Sequence, residues 1–223
     1  MTSTPETPRR RGRPPRISRA QIIEVARAME PDRLTMRAIA AELGVDPSAV
    51  NYHVADRETL LELVAADVVL SQIEDTRLPD SADWRAAIRV FADRLRAGVI
   101  LSGSHSPYFR FPAGGAPRAL TIVDEVLERL TGAGLCADEA IRALTAVNQI
   151  TFAAAREAVL TQNGGRHPQL DEMQRAIDDL QPDELPGARA VIAHWAPESD
   201  EQFAYNIDLL IAGIESRLAG DPS

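Results

Sequence analysis

Residues 34–61, LTMRAIAAELGVDPSAVNYHVADRETLL, carry the pattern from which the fold is read. Thr35 is a helix N-cap type, a side chain whose oxygen satisfies a backbone N–H at a helix start. The helix it opens runs to Leu43, and Gly44 stands where a left-handed residue ends a helix. Asp46-Pro47 restarts the chain as N-cap and first helical residue, giving a further helix to about Val54. Ile39, Leu43, Val45 and Val50 supply the apolar positions that pin two short helices together, and Ala40 is small where they cross. Ser48, Asn51, Tyr52 and His53 are then left facing outward. Together these positions form a helix-turn-helix, whose second helix can lie in a DNA major groove. Helix pairs with a glycine between them are common; the shared register makes this one specific.

Outward from that core, Ser18-Arg19-Ala20-Gln21 is a capping box opening a preceding helix with Ile22, Val25, Ala26 and Met29 on one face, stopped by Pro31. Asp56 caps a long fourth helix expected to run through Leu78 and close at Pro79. Helical periodicity continues over Ser81–Leu101, Ala119–Leu130, Asp138–Thr161, Gln169–Leu180 and Ala188–Trp195, with a loop over Ser102–Pro117. Ser199-Asp200-Glu201-Gln202 caps a last helix to about Leu218. No segment alternates with period two, so the fold expected is all-α.

Charge divides the chain. All 24 basic side chains are arginine; residues 1–63 hold ten against nine acids, and residues 64–223 hold fourteen against twenty-four. Six arginines crowd into Arg9–Arg19, RRRGRPPRISR. A basic arm on an acidic body suits a DNA-contacting end joined to a regulatory end, although an arginine run is also an ordinary solvated tail. Arg11-Gly12-Arg13-Pro14 is similar to the core of an AT-hook, whose extended backbone and two arginines suit a narrow A·T minor groove. Non-specific phosphate contact is the other reading of the arm.

Residues Ser18–Leu63 resemble the DNA-binding domain of the tetracycline-repressor (TetR) family, most specifically in Tyr52-His53-Val54 followed by Asp56-Arg57 and Leu60-Leu61. The match at motif level covers about a fifth of the chain; beyond it, helix order carries the likeness, with a weaker similarity over Ala137–Glu157. The resemblance implies a homodimeric repressor on a palindromic double-stranded DNA operator, responsive to a small effector. It implies a base-edge contact from Arg37, phosphate contacts from Thr35 and Arg57, and a recognition helix bearing Ser48, Asn51, Tyr52 and His53. Chemistry gives similar roles: Arg37 can bond a base edge with two donors, and Tyr52 and His53 suit phosphate, with packing on the first helix as the alternative for Tyr52. The domains expected are the arm at 1–17, the helix-turn-helix domain at 18–63 and a ligand-binding and dimerisation domain at 64–223.

Two apolar stripes in the acidic domain are interface or internal core: Ala140, Ala143, Val147, Ala154 and Ala158 on one helix, and Phe203, Ile207, Leu210, Ile211, Ile214 and Leu218 on the last. Two such helices from each subunit could form a four-helix interface. An effector pocket is expected from Phe91, Leu95, Phe109, Leu127, Leu144, Asn148 and Phe152, an apolar set with one placed amide. Counted without gaps, positions where tetracycline-binding family members coordinate metal or contact drug fall near Ile73, Phe91 and Phe109. Glu157 falls at a supporting acid. The apolar replacements point to a hydrophobic effector without a metal.

Other classes fare poorly. The four histidines show no HExxH or paired spacing, Gly132-Ala133-Gly134 follows no strand, and GxSxG is absent, so neither catalysis nor a cofactor is expected. Lone Cys136 can close no disulfide within the chain, no apolar run approaches the roughly 20 residues of a membrane span, and Met1–Pro8 lacks a signal's apolar region. The expected setting is cytoplasmic. A regulator or architectural DNA-binding protein without an effector is the remaining alternative; the size of the acidic domain argues against it.

Overall fold

A computed structural model describes residues 17–74, 76–111, 117–162, 167–178, 180–181, 183–196 and 199–220. The described residues are all-α, with ten α-helices and no strand. The chain divides into two compact units, Met1–Leu60 and Leu61–Ser223.

In the first unit, α1 (Arg19–Arg27), α2 (Met36–Glu42) and α3 (Pro47–His53) pack in sequence, with a 3₁₀ turn at Pro31–Arg33. Their starts follow the capping chemistry. Gln21 N–H donates to Ser18 Oγ and Ser18 N–H to Gln21 Oε1, completing the capping box. Thr35 Oγ1 accepts from Ala38 N–H at 3.1 Å. Ile22, Ala26, Leu34, Ile39, Ala40 and Val50 are buried, whereas Leu43 and Val45 are only half-buried. The turn between α2 and α3 depends on Gly44, whose φ of 63° lies in the left-handed region.

α4 (Arg57–Glu74) begins in the first unit and ends in the second. Asp56 caps it through Thr59 N–H at 2.8 Å. It stops four residues short of the expected Leu78, which is buried beyond the helix. Thr76 Oγ1 instead donates to Gln72 O at 2.8 Å, and residues before a proline are biased to extended backbone. α5 (Trp84–Ser102) starts three residues later than expected because Ala82 N–H closes a turn onto Pro79 O, leaving Asp83 as the N-cap.

In the second unit α5 packs most extensively on α7 (Ala137–Thr161) and also contacts α6 (Pro117–Gly132) and α10 (Asp200–Ala219). Its core gathers Phe91, Leu95 and Val99 with Val126, Leu130, Leu144, Val147, Phe203, Ile207 and Ile211. The connection expected as loop contains a 3₁₀ helix, Gly103–Tyr108, with His105 buried in it. α8 (Pro168–Asp178) and α9 (Pro186–His194) pack chiefly on each other. The buried imidazole of His167, just before α8, places Nε2 2.5 Å from Glu157 Oε2 and meets the Trp195 ring edge-on at 4.9 Å. Among the described residues no helix is long and apolar enough to cross a membrane.

Candidate nucleic-acid interface and ligand site

The local folding of α2 and α3 determines which polar groups face solvent. Val50 points inward, fully buried, so Ser48, Asn51 and Tyr52 stand exposed on α3 and His53 is half-buried. Tyr52 is 86% exposed, which removes packing on α1 as its role; its ring meets His53 edge-on at 5.2 Å. Arg37 is exposed one residue inside α2.

Two hydroxyls are already committed in part. Thr35 Oγ1 accepts the α2 cap bond, so its O–H is the group left to donate. Ser48 donates O–H to Asp46 Oδ1 at 2.6 Å while its N–H donates to the same oxygen at 2.8 Å, so its hydroxyl can serve a base edge only by accepting. The Ser48 hydroxyl, then the Ser48 backbone N–H, hold the Asp46 carboxyl below its ordinary range.

Arg57 is exposed at the start of α4 and also makes bonds within the chain. Its Nε donates to Leu34 O at 2.9 Å and its Nη2 to Pro31 O at 2.6 Å, an oxygen that also accepts from Leu34 N–H at 3.2 Å. The guanidinium straps the start of α4 to the entry of α2. Arg11 and Arg13 lie outside the described residues.

The residues expected to form the effector pocket come together as packing. Phe91, Leu95 and Leu144 are buried in one cluster, with Phe109, Leu127 and Phe152 packed against it. The Phe109 and Phe152 rings lie 5.4 Å apart, tilted by 31°. Asn148 is half-buried on α7 between Leu144 and Phe152. The sequence reading missed Thr151, which is fully buried with a hydroxyl that makes no hydrogen bond. Its signal was present: it falls seven residues after Leu144, on the same helical face.

A ligand-sized cleft opens elsewhere, between α5 and α10, with a volume of about 800 Å³. Its lining includes Arg89, Asp93, Arg96, Leu101, Phe203 and Ile207, and none of the seven expected pocket residues. Arg89–Asp208 and Arg96–Asp200 ion pairs span it at 2.7 Å each, and the Arg96 guanidinium lies 4.9 Å over the Phe203 ring. Burial pushes the Asp93 carboxyl up, against the opposing charge of Arg96 and Arg94.

The two small-residue and apolar stripes turn out to be spent mainly inside the chain: Ala140, Val147 and Ala154 of α7, and Phe203, Ile207, Ile211 and Ile214 of α10, are buried. Exposed apolar groups on these helices are Ile141, Leu160, Tyr205 and Leu209. Among the described residues no cluster of three or more His, Cys, Asp or Glu could hold a metal ion.

A family profile described as "Tetracyclin repressor-like, C-terminal domain" matches residues 78–218. The class C tetracycline repressor of Escherichia coli is 26% identical over 184 residues, covering 82% of this chain and 81% of that protein. The TetR family protein ActR of Streptomyces coelicolor, solved in complex with actinorhodin, superposes with a TM-score of 0.73 at 20% identity, covering 92% of this chain and 99% of that one. A TetR variant from Acinetobacter baumannii, solved in complex with minocycline, gives 0.62 at 18% identity over 92% and 94%. The chain belongs to the tetracycline-repressor family of transcriptional regulators.

Proposed function

We propose that this regulator is a ligand-responsive repressor that binds a palindromic operator as a homodimer and is released by a small, largely apolar effector. The observation that carries the reading is α3, seven residues long, anchored inward by Val50 and presenting Ser48, Asn51 and Tyr52 to solvent beside exposed Arg37. Arg37 reads a base edge, Tyr52 and Thr35 hold phosphate, and His53 supports Tyr52. Arg57 orients the unit through Nε and Nη2 and, being exposed, also holds phosphate.

Dimerisation is assigned to α7 and α10, through Leu160, Tyr205 and Leu209, which the single chain leaves exposed. Two of the solved relatives are complexes, with actinorhodin and with minocycline, which supports an effector for this chain as well. The effector site is assigned to Phe91, Leu95, Phe109, Leu127, Leu144, Asn148 and Phe152, with Asn148 as its polar group. A second location, the α5–α10 cleft, is favoured by its being open at ligand size.

The test is selection of genomic DNA fragments by the full chain at two salt concentrations, followed by footprinting. A protected palindrome with two recognition elements is the expected result. Weak binding that follows salt and ignores sequence would replace this reading with an architectural one. Deleting residues 1–16 is expected to weaken operator binding and flatten its salt dependence by ~0.9 in slope for each phosphate the arm no longer neutralises. Thermal-shift screening of small molecules, repeated with Asn148→Leu and Ala204→Trp, separates the two effector locations.

A further inference from the structure

α5 and α10 run antiparallel, and the charged pairs between them form a ladder of rungs. Arg85 meets Glu215, Arg89 meets Asp208 at 2.7 Å, and Arg96 meets Asp200 at 2.7 Å. Arg89, Asp93 and Arg96 are about one turn apart on one face of α5, and Asp208, Ala204 and Asp200 are one turn apart on α10. The register therefore brings Asp93 level with Ala204. Where the neighbouring rungs hold an arginine and an acid, this one holds an acid and a methyl group.

The cleft of about 800 Å³ opens at this rung, and both Asp93 and Ala204 line it. Among the described residues Asp93 makes no ion pair; the two arginines beside it in the lining are held by Asp208 and Asp200. Arg96 is further fixed by its stacking over the Phe203 ring. The lining thus carries two cations and three carboxylates, an excess of one negative charge, and apart from these and Gln162 it is apolar. Burial pushes the Asp93 carboxyl up, and Arg96, Arg94 and Arg89 do not offset it. Asp93 is still exposed enough to be reached from solvent. A carboxylate left in a largely apolar cleft without a counter-ion gains most from a ligand that brings one.

We propose that this cleft is the site of an amphipathic monocation, a primary amine on an apolar body. The ammonium donates to the Asp93 carboxylate and supplies the missing rung, while the body covers apolar lining such as Leu101 and Ile207. The inference deepens the second effector location named above and rests on it. Tyr205 and Leu209, assigned to dimerisation, follow Ala204 and Asp208 by one residue each, about 100° around α10, so they stand on a different face from the cleft.

The experiment uses the full chain and three probes that share a body and differ in head group: 4-phenylbutylamine, 4-phenylbutyrate and 4-phenylbutanol. Each is titrated by calorimetry at pH 7 without DNA. The amine is expected to bind once per chain, about tenfold or more tighter than the other two. Asp93→Asn keeps the side-chain shape and removes its charge; it is expected to weaken the amine about tenfold or more without lowering the melting temperature. Ala204→Arg supplies the rung from within the chain and is expected to weaken the amine to the same extent. Equal affinity for amine and butyrate overturns the proposal, and so does an amine affinity that Asp93→Asn leaves unchanged. The head-group comparison in the unaltered chain stays readable if either variant fails to fold. An amine that binds through Asp93 yet leaves the footprinted operator occupied refutes the release reading and supports the cation site. No saturable amine binding refutes the site and leaves operator recognition by α3 untouched.

Discussion

α3 and α7 differ in how they place particular polar side chains. α3 buries one valine and shows Ser48, Asn51 and Tyr52 to water. α7 buries Thr151 outright and half-buries Asn148 among apolar neighbours. A surface that meets DNA can be complete in the free chain, because phosphate and base edges arrive from solvent. Apolar side chains that pack on one another gain dispersion attraction that an open void would forgo, and the residues around Asn148 are packed in this way. The proposed reading surface is therefore exposed in the isolated chain, while the proposed effector residues are packed as core.

The comparison can be broken most severely at Phe91. If it is core in the free chain, Phe91→Ala lowers unfolding free energy by about 3–5 kcal/mol in denaturant titration. A loss below about 1 kcal/mol would mean the residue already lines space. On the DNA side, Arg37→Ala is expected to weaken operator binding by about 1–3 kcal/mol with unchanged melting temperature and unchanged non-specific binding. Equal weakening on all sequences would reassign Arg37 to phosphate.

The caps sharpen the contrast through pH. Asp46 is held below its ordinary range by the Ser48 hydroxyl and N–H, and Asp56 and Asp83 chiefly by the N–H groups of Thr59 and Ala86. The folded chain thus favours the ionised form of each. Their contribution is present above the unfolded value of ~3.9 and is lost as pH falls through the lowered folded values. Asp93 has the opposite sign: burial favours its neutral form, so its contribution is present at low pH and lost as pH rises through its raised value. Asp46→Ala should lower the melting temperature at pH 7 and remove part of the acid sensitivity, as measured by thermal melts from pH 7 to pH 3. The smallest stability effect belongs to Tyr52→Ala, within about 0.5 kcal/mol, because its ring is already in water. Its operator affinity should fall even so.

Much of the first unit was legible because its signals are local. Ser18, Thr35, Asp46 and Gly44 each act on backbone within a few residues, and the structure finds each in that role. The ends of α4 and α5 were less legible, since Pro79–Ala82 closes a turn that competes with a helical start at Ser81. Arg129 also supports that turn from α6, donating to Ala82 O at 3.1 Å, a contact 47 residues away in sequence. Periodicity identified the buried stripes of α7 and α10 without identifying what they bury against. Arg57 shows the same limit: the carbonyls it serves are 23 and 26 residues distant, so no local pattern announces those bonds.

α8 and α9 keep a small apolar interior of their own around Leu170, Ile177 and Ile192, and Arg189 donates to the carbonyls of Ile177, Leu180, Gln181 and Glu184. A helical pair assembled in this way can open as a separate cooperative piece while α5 and α7 stay closed. Its amides should then exchange with heavy water as a group, earlier than those of the surrounding bundle. Evolution can treat such a piece as a detachable module, altering its length or outer face with little cost to the core beneath.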